Sequence, residues 1–180
     1  AQKQLYNICV DHHLDLSDYI VERELSDDSR QVLYHASRFG ISGEIQPISR
    51  ERCDFGKGFY MGTDPIQPLT LVCNEKNPIF YTLDFDMENL KVLDVKKDLD
   101  WAMLIAFFRG YMDEVKGSMI YEKYAHMADG YDVIVGYIAN DRMYQVLTDF
   151  FVMRITDTAL VGSLSALKLG RQYVAVAQKA

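Results

Sequence analysis

Six short runs rich in Val, Ile, Tyr and Phe, at residues 32–36, 58–61, 79–85, 91–95, 131–136 and 172–176, alternate with longer runs of helical character at 65–73, 99–112, 141–152 and 157–168. β-Branched and aromatic residues pack well on a pleated surface, so the short runs are expected strands. A chain that alternates the two kinds must layer helices on a sheet. Its spacing lacks the regular repeat of a parallel βαβ fold. The expectation is therefore α/β or α+β, with a mixed and partly antiparallel sheet.

Local signals mark several boundaries. Pro65 suits a first helical turn behind Asp64 as cap. Asp98 or Asp100 can cap the helix in "LDWAMLIAFFRGYM", whose apolar residues are too dense for a surface helix. Trp101 within it is expected in the core. The first thirty residues read differently: "LDLSDYIVEREL" sets Leu16, Ile20 and Leu25 loosely on one side, and "SDDSR" then punctuates. Residues 1–30 are expected to form an N-terminal extension, helical and packed on a domain of residues 31–180.

A length of 180 residues suits one domain with a proper core. The net charge of −7 argues against a broad nucleic-acid footprint while leaving room for a local basic patch. Cys9, Cys53 and Cys73 form neither a paired disulfide framework nor the close pairs of a zinc site, so a reducing, cytoplasmic setting is expected. No apolar run approaches the roughly 20 residues of a membrane helix, and no membrane partner is expected. The sequence opens with alanine, which leaves a processed start open. Adjacent His12 and His13, beside Asp11 and Asp15, point apart on a polar segment, so no metal is expected. Neither a Walker loop nor a dinucleotide fingerprint occurs, and the nucleophile elbow and H-E-x-x-H are also missing. Hydride transfer of the usual nicotinamide kind is thereby disfavoured.

Three separated pieces stand out. In "LYHAS", alternation puts Val32, Tyr34 and Ala36 on one face and Leu33 and His35 on the other. Taken alone, His35 reads as a core histidine bonded to a carbonyl. In "CDFGKGFYMGTD", Gly56 and Gly58 sit beside Phe59 and Tyr60; glycine there marks a bulge or a close approach by a ligand or another backbone. In "LGRQYVAVA", Gln172 opens a strand.

Together they resemble the ADP-ribosyltransferase fold in its His-Tyr-Glu branch, which includes poly(ADP-ribose) polymerases and diphtheria toxin. From residue 32 onward the chain also resembles a bacterial family related to that fold and catalogued as a domain of unknown function. The residues carrying this are "LYHAS", "DFGKGFYMGTD", "LKVLDV", "LDWAMLIAFFRG", "YDVIVGYIANDRMY" and "LKLGRQYVAVAQKA". The resemblance implies an α+β fold with a mixed, mostly antiparallel split sheet and flanking helices. It also implies NAD as co-substrate and transfer of ADP-ribose to an acceptor.

The same resemblance assigns roles. His35, Tyr60 and Gln172 become the catalytic set. His35 would bond a ribose hydroxyl, the Ala36 backbone and Ser37 hydroxyl would pair with the nicotinamide amide, and Tyr60 would stack on its ring. Gly56 and Gly58 would let the ligand approach next to Phe59. Gln172 replaces the usual glutamate, keeping a hydrogen bond and losing a charge, which favours single transfer over chain elongation. Arg109 faces either the NAD pyrophosphate or a protein acid. Asn140, Asp141 and Arg142 form either a turn and cap or a site edge, with Asn140 assigned to NAD. Arg50, Arg52 and Lys57 form a basic cluster that meets phosphates or solvent.

The leading expectation is a bacterial mono-ADP-ribosyltransferase with a protein or nucleic-acid acceptor, acting as a toxin or defence effector with a possible antitoxin. The alternatives are an NAD- or ADP-ribose-binding module without turnover and a purely structural domain.

Overall fold

A computed structural model of the chain describes residues 29–72, 74–139, 141–166 and 170–177. The expected N-terminal helix, His12, His13, Cys9, Cys73 and Asn140 lie outside them. The described residues are mixed α/β and divide into two compact units, one of residues 29–45 with those of 60–89, the other of 46–59 with those from 90 onward.

In the first unit, β1 (Arg30–Ser37) lies between β2 (Phe59–Gly62, its Phe59 counted with the second unit) and β3 (Ile79–Asp86), antiparallel to both. Register runs from Arg30 opposite Asp86 to Ser37 opposite Ile79. Strict alternation fails on β1, because Leu33 and Tyr34 are both buried. Leu33 packs inside, and Tyr34 stacks on Phe80 at 5.8 Å. Helix α1 (Ile66–Val72) buries Pro68, Leu69 and Val72. Asp64 starts it as expected: its Oδ1 accepts from Ile66 N at 2.9 Å and its carbonyl from Gln67 N at 3.2 Å. Pro68 falls in the first turn, where its missing N–H would have had no helical partner.

In the second unit, β5 (Val133–Tyr137) is central, parallel to β4 (Val92–Asp94) and antiparallel to β6 (Arg171–Ala175). Val133, Ile134 and Val135 are all buried, the unbroken apolar run of a strand covered on both faces. Helix α2 (Leu99–Arg109) buries Trp101, Ala102, Met103, Leu104, Ile105 and Ala106, which explains its apolar density. Trp101 donates Nε1–H to the Tyr137 carbonyl at 3.0 Å, so the core indole has its partner.

Asp98, not Asp100, caps α2 by accepting from Trp101 N at 3.2 Å. Asp100 instead accepts from Lys123 Nζ at 2.6 Å and Tyr124 Oη at 2.9 Å. The helix stops at Arg109 rather than Met112, because Gly110 takes φ +85° and its N–H turns back to the preceding carbonyls.

Sequence reading misses α3 (Met119–Ala125), which buries Tyr124 and no other side chain. Seven residues with Met119 fully out in solvent carry no recognisable apolar stripe. Helices α4 (Asp141–Phe151) and α5 (Asp157–Ala166) contribute Met143, Leu147, Leu160 and Leu164 to the core.

The capping geometry yields a stability test. Asp98→Ala should cost about 0.5–2 kcal/mol by urea unfolding, the usual loss for a capping aspartate. Asp100→Ala should cost less, because its ion pair with Lys123 is half-exposed on both sides.

Candidate functional site

The first unit holds His35, Ala36, Ser37 and Tyr60. His35 Nδ1 lies 2.7 Å from the Tyr60 carbonyl oxygen. A carbonyl only accepts, so Nδ1 carries the proton and the neutral ring has its acceptor at Nε2. Burial lowers the His35 pKa from its ordinary value, opposed by the bond to Tyr60, so the ring is neutral at pH 7. A neutral imidazole with this tautomer accepts from hydroxyl groups.

Tyr81 stands opposite His35 on β3, with ring centroids 6.3 Å apart. Its hydroxyl accepts from Ile41 N at 2.8 Å, which anchors the loop that follows β1. Ser37 Oγ donates to Gly40 O at 3.2 Å and accepts from Phe39 N at 3.3 Å, so its hydroxyl shapes that loop. Ala36 is opposite Phe80 and is not among the residues with positive φ, so an alanine there carries no backbone strain.

The second unit is organised around Asp54, 5% exposed. Its Oδ1 accepts from Arg109 Nη2 at 2.6 Å, Arg109 Nε at 3.3 Å and Tyr144 Oη at 2.5 Å. Its Oδ2 accepts from Ala139 N at 3.0 Å and Gln172 Nε2 at 2.9 Å. Arg109 Nη2 also donates to the Tyr144 hydroxyl, and the guanidinium lies 4.8 Å from that ring's centroid. The donors come from the end of α2, the first turns of α4, the backbone after β5, and β6. One buried carboxylate thus holds four chain segments.

The charges in this cluster support one another. Burial alone would lower the Arg109 pKa, but the hydrogen bond and attraction of Asp54 outweigh it and raise the value. Tyr144 is pushed far up, first by burial and then by the Asp54 charge, so it remains a neutral phenol. Breaking such a buried pair typically costs about 3–5 kcal/mol, because an uncompensated charge is left behind.

Gln172 is buried, and its Nε2 donates to Asp54 and, at 3.2 Å, to the Tyr137 carbonyl. Both partners are acceptors, which fixes the amide orientation. Both amide hydrogens are used, and what the side chain has left to offer is the acceptor Oε1.

Gly56 and Gly58 make room for the chain itself. Gly56 has φ +72°, and a Cβ there would lie 2.8 Å from the Phe108 ring. At Gly58 it would lie 2.4 Å from Val174 Cγ1 and 2.9 Å from the Ala175 carbonyl. Ser49 pins the same loop, its Oγ accepting from Gly58 N at 3.1 Å. Phe59 is buried.

The expected residues therefore fall into two sets: His35, Ala36, Ser37 and Tyr60 in the first unit, and Gly56, Gly58, Phe59, Arg109 and Gln172 in the second. Arg109 takes the acid-pairing alternative. In the expected basic cluster, Arg52 pairs with Asp113 at 3.1 Å and Lys57 with Glu51 at 3.0 Å. Asp54, Tyr144 and Tyr81 escape a sequence reading. Asp54 lies inside the quoted glycine motif, yet its partners lie 55, 85, 90 and 118 positions away. Among the described residues no three His, Cys, Asp or Glu side chains group as a metal site, and no helix is long and apolar enough to cross a membrane.

The His35 environment predicts a pH effect with a definite sign. Its folded pKa lies below the unfolded value, so the unfolded chain takes up the proton first. The stability it contributes is complete above about pH 6.5 and is lost as pH falls through the folded value. The urea midpoint of the wild type should therefore drop more between pH 7 and pH 5 than that of His35→Gln. Equal slopes would show His35 to be as solvated in the folded chain as in the unfolded one.

No curated protein and no solved structure shows a significant match to the chain. A family model does match, over residues 31–180, the span that holds both sets of residues. The chain belongs to the family described as protein of unknown function (DUF3990).

Proposed function

We propose that the protein is an NAD-dependent mono-ADP-ribosyltransferase, acting on a protein or nucleic-acid acceptor as a toxin or defence effector in the cytoplasm. The observation that carries the reading is the 2.7 Å bond from His35 Nδ1 to the Tyr60 carbonyl. It ties the "LYHAS" and "GFYMG" motifs together, with the imidazole neutral. The motif resemblance supplies the rest of the argument.

In the proposed reaction the bond from ribose C1′ to the nicotinamide nitrogen breaks, and nicotinamide leaves with the electron pair. The acceptor's nucleophile bonds to C1′ and releases its proton to solvent. The transition state has oxocarbenium character, as in glycoside hydrolysis. Tyr60 supplies a ring for nicotinamide, where an offset stack adds about 0.5–1.5 kcal/mol. Ala36 offers its backbone to the carboxamide. The resemblance assigns Gln172 the role of a carbonyl dipole for the developing positive charge.

A second reading, an NAD- or ADP-ribose-binding module without turnover, is favoured by one observation. Gln172 is neutral and tied to Asp54, so this position supplies no carboxylate. Incubation with labelled NAD and cell extract separates the two. The transferase should release nicotinamide and label a macromolecule, and Tyr60→Ala should weaken NAD binding with little loss of thermal stability. Calorimetric NAD binding without nicotinamide release would select the module. Absence of both binding and release, in folded protein, would reject both readings.

A further inference from the structure

A glutamine nearly sealed from solvent has a reason to be glutamine. The Gln172 side chain faces two acceptors, the Asp54 carboxylate at 2.9 Å and the Tyr137 carbonyl at 3.2 Å. Only a group with two hydrogens on one atom satisfies both. A carboxylate in that place would meet two acceptors and bring a second negative charge against Asp54, in a site too dry to screen it. Asp54 itself accepts from Arg109, Tyr144 and Ala139 N, three donors independent of Gln172.

We infer that Asp54 is the positioning residue of Gln172: its carboxylate sets which end of the carboxamide turns inward, makes an amide rather than an acid the fitting side chain at 172, and leaves Oε1 as the atom offered to a hydroxyl-bearing ligand. The ligand half rests on the ADP-ribosyl reading; the orientation half does not.

The charged and titratable groups around the position are few. Asp54 comes from the glycine loop, Arg109 from α2 and Tyr144 from α4, while Tyr137 on β5 faces it through its carbonyl. On β6 itself Arg171 pairs with Asp94 of β4 at 2.6 Å, and Tyr173 stays protonated, its pKa raised by burial. Arg109 and Tyr144 engage Oδ1, whereas Gln172 engages Oδ2. The oxygen that a glutamate would meet is therefore the one without the guanidinium.

The test compares urea midpoints of wild type, Gln172→Glu and the exchange Asp54→Asn/Gln172→Glu between pH 5 and pH 8. In Gln172→Glu the new carboxyl must hold a proton to donate, so its folded pKa rises above the ordinary glutamate value of about 4.3. Stability is then present at low pH and lost as pH rises through the folded value. The midpoint of Gln172→Glu should fall from pH 5 to pH 8 relative to wild type. In the exchange variant an amide at 54 can donate to the carboxylate at 172, and the extra slope should shrink by half or more. A variant folded at pH 5 but unfolded at pH 8 is the same result in stronger form. Failure to fold at either pH, a slope equal to wild type, or an undiminished slope in the exchange variant overturns the orientation half.

For the ligand half, Asp54→Asn frees the amide at 172 to turn and should weaken NAD binding roughly tenfold by calorimetry. Unchanged affinity overturns it. If the wild type binds no NAD, the ADP-ribosyl reading fails and takes the ligand half with it, while the pH comparison still decides the orientation half.

Discussion

A single desolvated carboxylate sets the terms for the second unit. Asp54 gives up hydration to sit 5% exposed, and it recovers that cost only if donors replace the lost water on both oxygens. The chain supplies them from a guanidinium, a phenol, a backbone N–H and a carboxamide. Each donor lies on a different segment, so satisfying Asp54 amounts to assembling the ends of α2 and β5 with α4 and β6. A network of this kind is either complete or costly. That is why a feature with no local sequence signature has such structural weight.

The cluster also changes what the glycine motif means. Glycines beside a strand admit something that a side chain would exclude, and a ligand was one candidate. At Gly56 and Gly58 the space belongs to Phe108, Val174 and Ala175, with Ser49 fastening the loop between them. The tight loop is what delivers Asp54 to the interior. On this view the motif's first service is architectural, and any ligand it meets would be met on a backbone already drawn in by the protein's own packing.

The two sets of candidate residues differ in physical character. In the first unit, a neutral, half-buried His35 imidazole is anchored through the Tyr60 backbone carbonyl, faces Tyr81 and is bordered by a loop. In the second, Gln172 sits in an ionic network that leaves it one defined acceptor. His35 and Tyr60 were singled out because each lies in a short distinctive motif, whereas Tyr81 on β3 has no such motif around it. The neighbours of Gln172 were not legible, because hydrogen-bond partners tens of residues distant leave no spacing to read.

The sequence by itself determined most of the described elements, α3 excepted. β-Branched and aromatic density specified six strands to within a residue or two, apolar density marked α2 as a core helix, and Asp64 announced the start of α1, since these depend on residues a few positions apart. Competing local signals needed the fold to choose between them: Asp98 over Asp100 as the cap, and Gly110 over the apolar run as the stop. Only tertiary structure decided that Arg109 answers an acid and that this acid is Asp54. It also decided which end of the Gln172 amide faces inward. Burial and pairing across the chain are consequences of where segments meet, and a charge's partner is chosen by the solvent it loses rather than by its neighbours in sequence.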